Sequence, residues 1–198
     1  MSDVAIIDSG GANLASLQYA LERLGAKTRV TLDEQEIRDA RRVILPGVGS
    51  ARAAMDRLES SGIAKLMPSL TQPVLGICLG MQLLFARSEE GPADCLGILP
   101  QTVARLESKP GLPVPHMGWN QLTGLAPDPL LNGIEPNSYV YFVHSYAAPV
   151  SPNTLAIAEY GQPVTAAVRC DNFWGTQFHP ERSARTGARI LANFLEIE

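Results

Sequence analysis

Cys78 stands in the stretch PVLGICLGMQLLF, residues 73–85, with Gly76 and Gly80 on either side, an apolar run before it and a helix-like run after it. A cysteine at the point where a strand turns into a helix occupies the setting of a nucleophile elbow, with sulfur in place of a serine hydroxyl. Flanking glycines relieve the crowding of so sharp a turn. The start of a helix favours thiolate over thiol, and its first amides lack intrahelical partners, so the Leu79 N–H is available to an oxyanion. On this segment alone, a small apolar core cysteine explains the residue equally well.

Two further segments decide between those readings. PGVGS, residues 46–50, follows another apolar strand. Sites in open α/β sheets form beyond the C-terminal ends of strands, so the loop Gly47-Val48-Gly49 is a candidate second oxyanion donor. It lacks the GKS or GKT continuation of a phosphate loop. WGTQFHPERS, residues 174–183, places His179 and Glu181 two apart, on one side of an extended chain. Pro180 keeps His179 out of the helical region. Glu181 can then orient the imidazole and stabilise its cation, the part played by the third member of a triad. A nucleophile needs a base, so Cys78 and His179-x-Glu181 strengthen each other. His116 and His144 lack an acidic residue two positions away and are read as structural or binding residues. Cys95 and Cys170 lie outside any elbow pattern and are read as filler.

The elements that must position these groups alternate in the N-terminal half. VAII (4–7), TRVTL (28–32), RVILPG (42–47) and PVLGIC (73–78) read as strands. Helical periodicities lie between them, notably Leu14, Leu17, Leu21 and Leu24, capped by Asn13 and stopped by Gly25. LGMQLLFAR reads as the helix after Cys78. Such alternation predicts an α/β fold with an open, mostly parallel twisted sheet and helices on both faces. The C-terminal half carries strand-like runs separated by Pro, Gly and Asn, which predict an antiparallel extension. The Pro-rich region 108–129 reads as ordered loops, and ARTGARILANFLE closes the chain as a helix. Residues 1–198 are read as one domain.

Bulk properties exclude several function classes. The 198 residues carry a formal net charge of −4 with no basic run, which disfavours nucleic acid. No apolar run approaches the ~20 residues of a membrane span, and the N-terminus lacks the pattern of a signal peptide. Three cysteines without paired spacing argue for a reducing cytoplasm. No C-x-x-C or H-x-x-x-H spacing suggests a metal, and no cofactor is expected. Charged residues at 18 % are few, which suggests a surface partly covered by a protein partner.

Taken together, GICLGMQ, PGVG and QFHPE resemble the triad-type (class I) glutamine amidotransferases over essentially the whole chain. PHMGWN with YFVHSY narrows the resemblance to the histidine-biosynthesis branch. The resemblance implies that Cys78 attacks the side-chain carboxamide of L-glutamine and that His179 moves the protons. It implies that Gln82, Ser145 and Tyr146 hold the substrate, and that ammonia passes to a separate (β/α)8-barrel cyclase subunit in a heterodimer. It sets the partner surface on Asn13, Met117, Trp119, Asn120, Tyr141 and Arg182. The glycines around Val48 make a peptide flip cheap, so PGVG is expected to regulate the site and Gly47→Ala to change its response. The chain departs from the family where DYGxGN is DSGGAN, with Ser9 and Ala12, and where HPEKS is HPERS, with Arg182. Rival readings are another amidotransferase, such as the pyridoxal type, whose GES loop is missing, a cysteine peptidase, or a non-catalytic scaffold.

Overall fold

The computed structural model describes residues 3–9 and 14–198. The expected Asn13 cap and the partner-surface role of Asn13 fall outside them. The chain begins with β1 (Val4–Ile7), α1 (Leu14–Arg23), β2 (Thr28–Thr31), α2 (Glu34–Asp39) and β3 (Arg42–Gly47). It continues through α3 (Ala51–Ser60), α4 (Ile63–Leu66) and β4 (Val74–Cys78) to α5 (Leu79–Gln82). Side-chain caps start two of these helices: Asp33 accepts from the Glu36 amide and Ser50 from that of Ala53.

A second run follows: β5 (Phe85–Ser88), β6 (Ala93–Asp94), β7 (Leu99–Arg105), β8 (His116–Gln121), β9 (Tyr139–His144) and β10 (Tyr146–Ala147). The chain ends with β11 (Thr154–Glu159), β12 (Pro163–Cys170), β13 (Phe173–Thr176) and α6 (Ala184–Glu196). The central sheet has the order β11-β12-β13-β4-β3-β1-β2. Strands from β2 through β13 pair in parallel, and β12 and β11 extend the edge antiparallel.

Alternation along each strand splits the core into two layers. Val4 and Ile6 face one cluster, with Leu17 and Leu21 of α1 and Ile190, Leu191 and Phe194 of α6. Ala5 and Ile7 face the other, with Ile37 of α2, Met55 and Leu58 of α3, and Ile63 of α4. Both faces of the parallel sheet are thereby covered, as the fold class requires.

Three elements differ from the sequence reading. The helix after Cys78 ends at Gln82, because Phe85–Ser88 pairs with β7 as a strand; tertiary pairing overrides a helical run. Residues 116–121, read as loop, form β8, which pairs antiparallel with β9 across a long connection. Finally, β13 does not join the antiparallel extension alone: its other edge pairs in parallel with β4.

Candidate active site

Register brings the three sequence signals to one level. Gly47 lies opposite Cys78 in the β3–β4 pairing. Thr176 lies opposite Ile77 in the β4–β13 pairing, so the chain leaving β13 passes Cys78 and reaches His179. Three parallel C-terminal ends thus meet at one edge of the sheet. A cleft of about 220 Å³ opens there, lined by the PGVG loop, Cys78, Leu79, Gln82, Glu90, Val143–Tyr146 and His179.

Cys78 has φ 54° and ψ −111°, a conformation that costs a residue with a Cβ about 1–3 kcal/mol. Close packing of glycines makes the turn possible. A Cβ on Gly80 would lie 1.7 Å from the Leu45 carbonyl oxygen, and one on Gly76 would lie 2.6 Å from that of Gly80. The glycines around Val48 have unequal jobs. Gly49 has φ +95° and open space around it, whereas a Cβ on Gly47 would lie 2.8 Å from both the Gly80 nitrogen and the Leu79 Cβ. Gly47→Ala therefore perturbs the elbow itself, and Gly49 is the position where backbone freedom resides.

His179 is buried and its Nδ1 donates to Glu181 Oε1 at 2.8 Å. The backbone holds it from both sides: its N–H donates to Tyr141 O at 3.0 Å, and its carbonyl accepts from the Ser183 hydroxyl at 2.7 Å. Ser183 in turn accepts from the Tyr141 amide at 2.9 Å. Burial alone would lower the imidazole pKa, but hydrogen bonds to Cys78 and Glu181 and their negative charge outweigh it and raise the value to about 10. The arrangement is an imidazolium beside the Cys78 sulfur at neutral pH. Its stabilising contribution is complete below the ordinary histidine value of ~6.5 and is lost as pH rises toward 10.

Sequence reasoning missed two polar groups here, Gln177 and Glu90. Gln177 is fully buried, and its side-chain N–H points at Cys78 Sγ from 3.8 Å. Gln82 donates to Gln177 Oε1 at 2.9 Å and to Tyr146 O at 2.8 Å. Both of its amide hydrogens thus bond within the protein, and its side chain lines the cleft. Glu90, a carboxylate at the cleft wall, accepts from the Ala51 amide at 3.1 Å, and burial raises its pKa. The buried Ser9 hydroxyl, at a departure from the family pattern, donates to the Pro46 carbonyl at 2.6 Å and braces the start of the PGVG loop. Cys95 and Cys170 lie elsewhere; burial pushes the Cys95 thiol up to about 11 and raises that of Cys170.

His144 lines the cleft, but neither it nor His116 is free to act as the base. They bond each other at 2.9 Å, and the other nitrogen of His144 reaches Tyr146 O. Burial lowers His116 to about 4 and His144 to about 3. Both folded values lie below the unfolded ~6.5, so their stabilising contribution is present above pH ~6.5 and lost as pH falls, at up to about 1.4 kcal/mol per unit for each. Urea unfolding should show stability falling between pH 6.5 and 4, with a shallower slope in His116→Phe; equal slopes would contradict this.

Beside the cleft, β8 and β9 turn Met117, Trp119, Tyr139 and Tyr141 to one face, and the first three are exposed. Trp119 meets Tyr141 edge-on and the Arg182 guanidinium stacks 4.8 Å over Tyr141. Strand alternation, applied to YVYF, would have added Tyr139. Asn120 lies on the opposite strand face, with its amide bonded to His116 and to Glu159 O. Among the described residues no helix is long and apolar enough to cross a membrane, and no cluster of three or more His, Cys, Asp or Glu could hold a metal ion.

Comparison with known proteins identifies the family. The glutamine amidotransferase class-I family model matches residues 5–197. The chain is 54 % identical over 197 residues to the imidazole glycerol phosphate synthase subunit HisH of Xanthomonas campestris pv. campestris, covering 100 % of this chain and 98 % of that protein. It is 53 % identical to HisH of Shewanella oneidensis, covering 99 % and 96 %. In fold it is similar to a crystal structure of glutamine amidotransferase, with a TM-score of 0.75, 19 % identity and coverage of 98 % and 97 %. It is also similar to PurLQS from Thermotoga maritima, with a TM-score of 0.71, 21 % identity and coverage of 99 % and 99 %. The chain belongs to the class-I glutamine amidotransferase family, among the relatives of HisH.

Proposed function

We propose that this glutamine amidotransferase is the glutaminase subunit of imidazole glycerol phosphate synthase. It would hydrolyse L-glutamine through a Cys78 thioester and hand the ammonia to a (β/α)8 cyclase, which makes imidazole glycerol phosphate and aminoimidazole carboxamide ribotide. The observation that carries the chemistry is the strained Cys78 at the cleft floor beside a His179 already bonded to Glu181.

In this reading the sulfur attacks the carboxamide carbon. Negative charge gathers on the carbonyl oxygen, where the Leu79 amide and an amide of the Gly47–Gly49 loop receive it. The His179 imidazolium protonates the departing nitrogen, ammonia leaves, and a glutamyl thioester remains. Neutral His179 then takes a proton from water, which attacks the thioester; glutamate leaves and the ion pair returns. Glu181 stays ionised and holds the ring in its tautomer. Glu90 suits the substrate α-ammonium, since it is the carboxylate on the cleft wall. Passing ammonia to a bound partner keeps it from becoming ammonium in water. The exposed Met117–Trp119–Tyr139 face, next to His179 through Tyr141, suits that partner.

The test is glutamine hydrolysis by the purified chain, alone and with a candidate cyclase and its nucleotide. Turnover that rises with the cyclase is expected; absence of turnover under every condition rejects the reading. Gly49→Ala forces a Cβ-bearing residue into φ +95° without a clash, displacing the oxyanion loop. Steady-state assays should show kcat down about 10²-fold with KM little changed.

A further inference from the structure

The buried pair His116 and His144 takes no part in the chemistry above, yet burying two imidazoles costs free energy that an apolar pair would not. The two residues are directly opposed in the β8–β9 register, and His116 lies between the Phe142 and Tyr160 rings at 4.7 and 4.0 Å. Packing alone does not require nitrogen atoms at either position.

The hydrogen bonds explain them. Tyr146 O can only accept, so His144 Nδ1 carries the proton in their 2.8 Å contact. Neutral His144 then has a bare Nε2, which accepts from His116 Nδ1–H at 2.9 Å. His116 Nε2 is bare in turn and accepts from the Asn120 amide at 3.3 Å. Asn120 is oriented by a second carbonyl, Glu159 O at 2.9 Å. At the other end, Tyr146 O also accepts from Gln82, which is thereby fixed to present N–H to Gln177 Oε1. Gln177 is left with its N–H toward Cys78 Sγ. Donors run one way from Asn120 through both histidines to Tyr146 O, and from Gln82 one branch meets the same carbonyl while the other runs through Gln177 to the sulfur, so every group is satisfied.

We propose that His116 and His144 are positioning residues of the glutamine site: through this one-way chain they hold the Tyr146 carbonyl, and with it the cleft wall and the Gln82–Gln177 pair, in the geometry that binds substrate. The inference rests on the glutaminase reading. A reversed tautomer at either histidine would set two N–H groups or two lone pairs against each other, so the chain tolerates a single state.

Two substitutions separate polarity from packing. His116→Phe keeps the ring stack and removes both nitrogens. His116→Asn removes the ring and keeps an N–H near the Nδ1 position. The expected result is a KM for glutamine raised about tenfold in His116→Phe, the worth of one buried hydrogen bond, with kcat within about twofold. His116→Asn should recover most of the wild-type KM. The reverse ranking, or an unchanged KM in both, overturns the proposal. If neither variant folds, nitrogen NMR of histidine-labelled wild-type protein reads the tautomers directly. Protons on Nδ1 of both rings are expected at neutral pH, and a proton on either Nε2 overturns the chain. Wild-type protein that does not hydrolyse glutamine would instead defeat the functional reading, so the two failures are distinguishable.

Discussion

Cys78→Ala is expected to lower glutamine hydrolysis by about 10⁴-fold or more while leaving the fold intact, because no second thiol lines the cleft among the described residues. Gln177 and the Leu79 amide would remain, but without a nucleophile they have nothing to assist. The informative companion is Cys78→Gly. The native residue sits at φ 54°, and glycine accepts that conformation without the strain a Cβ brings. Cys78→Gly should be equally inactive and more stable, by about 1 kcal/mol or somewhat more. That corresponds to a melting temperature raised by about 2–4 °C per kcal/mol in a chain of this size. Differential scanning calorimetry together with the glutaminase assay checks both halves. A glycine variant less stable than wild type would mean that the elbow is not strained by its Cβ.

The largest structural effect is expected at Gly80. Its Cβ position lies 1.7 Å from Leu45 O and 2.7 Å from the Leu45 carbonyl carbon. Both are backbone atoms of β3, buried in the central sheet and unable to move alone. Gly80→Ala must push α5 off β3, which costs more than about 4 kcal/mol, the range reserved for core disruption. Loss of soluble protein, or a melting temperature lower by more than about 8 °C, is the expected result. Gly49→Ala is the contrast: it adds only local strain, with nothing within 4 Å. Near-equal melting temperatures for the two variants would contradict the close approach of β3 and α5.

Much of this arrangement was legible in the residues. VAII became β1, and the periodicity of ARTGARILANFLE became α6 at both ends. GICLG was readable as an elbow because glycine, cysteine and helix start are adjacent in sequence, and short-range sterics act on neighbours. His179 and Glu181 were readable because two-residue spacing fixes a common side. What escaped depends on pairing between distant strands. Local pattern could not say that β13 lies against β4 or that a Pro-rich stretch supplies β8, since loop closure between remote segments leaves no periodic mark. LLFAR after Cys78 suits helix or strand, and only the pairing of Phe85–Ser88 with β7 decides it. Gln177 stands inside QFHPE, but its target, the sulfur, belongs to another strand. Glu90 had no local signal: it is one carboxylate beside Glu89 in a turn, and only the fold brings it to the cleft.

If Cys78 is the nucleophile we propose, the glutamyl group rides on that one sulfur during turnover. Acid quenching during steady-state turnover, followed by peptide mass spectrometry, locates that group. A mass increase of one glutamyl group, removable by hydroxylamine, is expected on the peptide containing Cys78 and nowhere else. It should vanish in Cys78→Ala. A glutamyl group on the Cys95 or Cys170 peptide, or turnover that persists in Cys78→Ala, would contradict it.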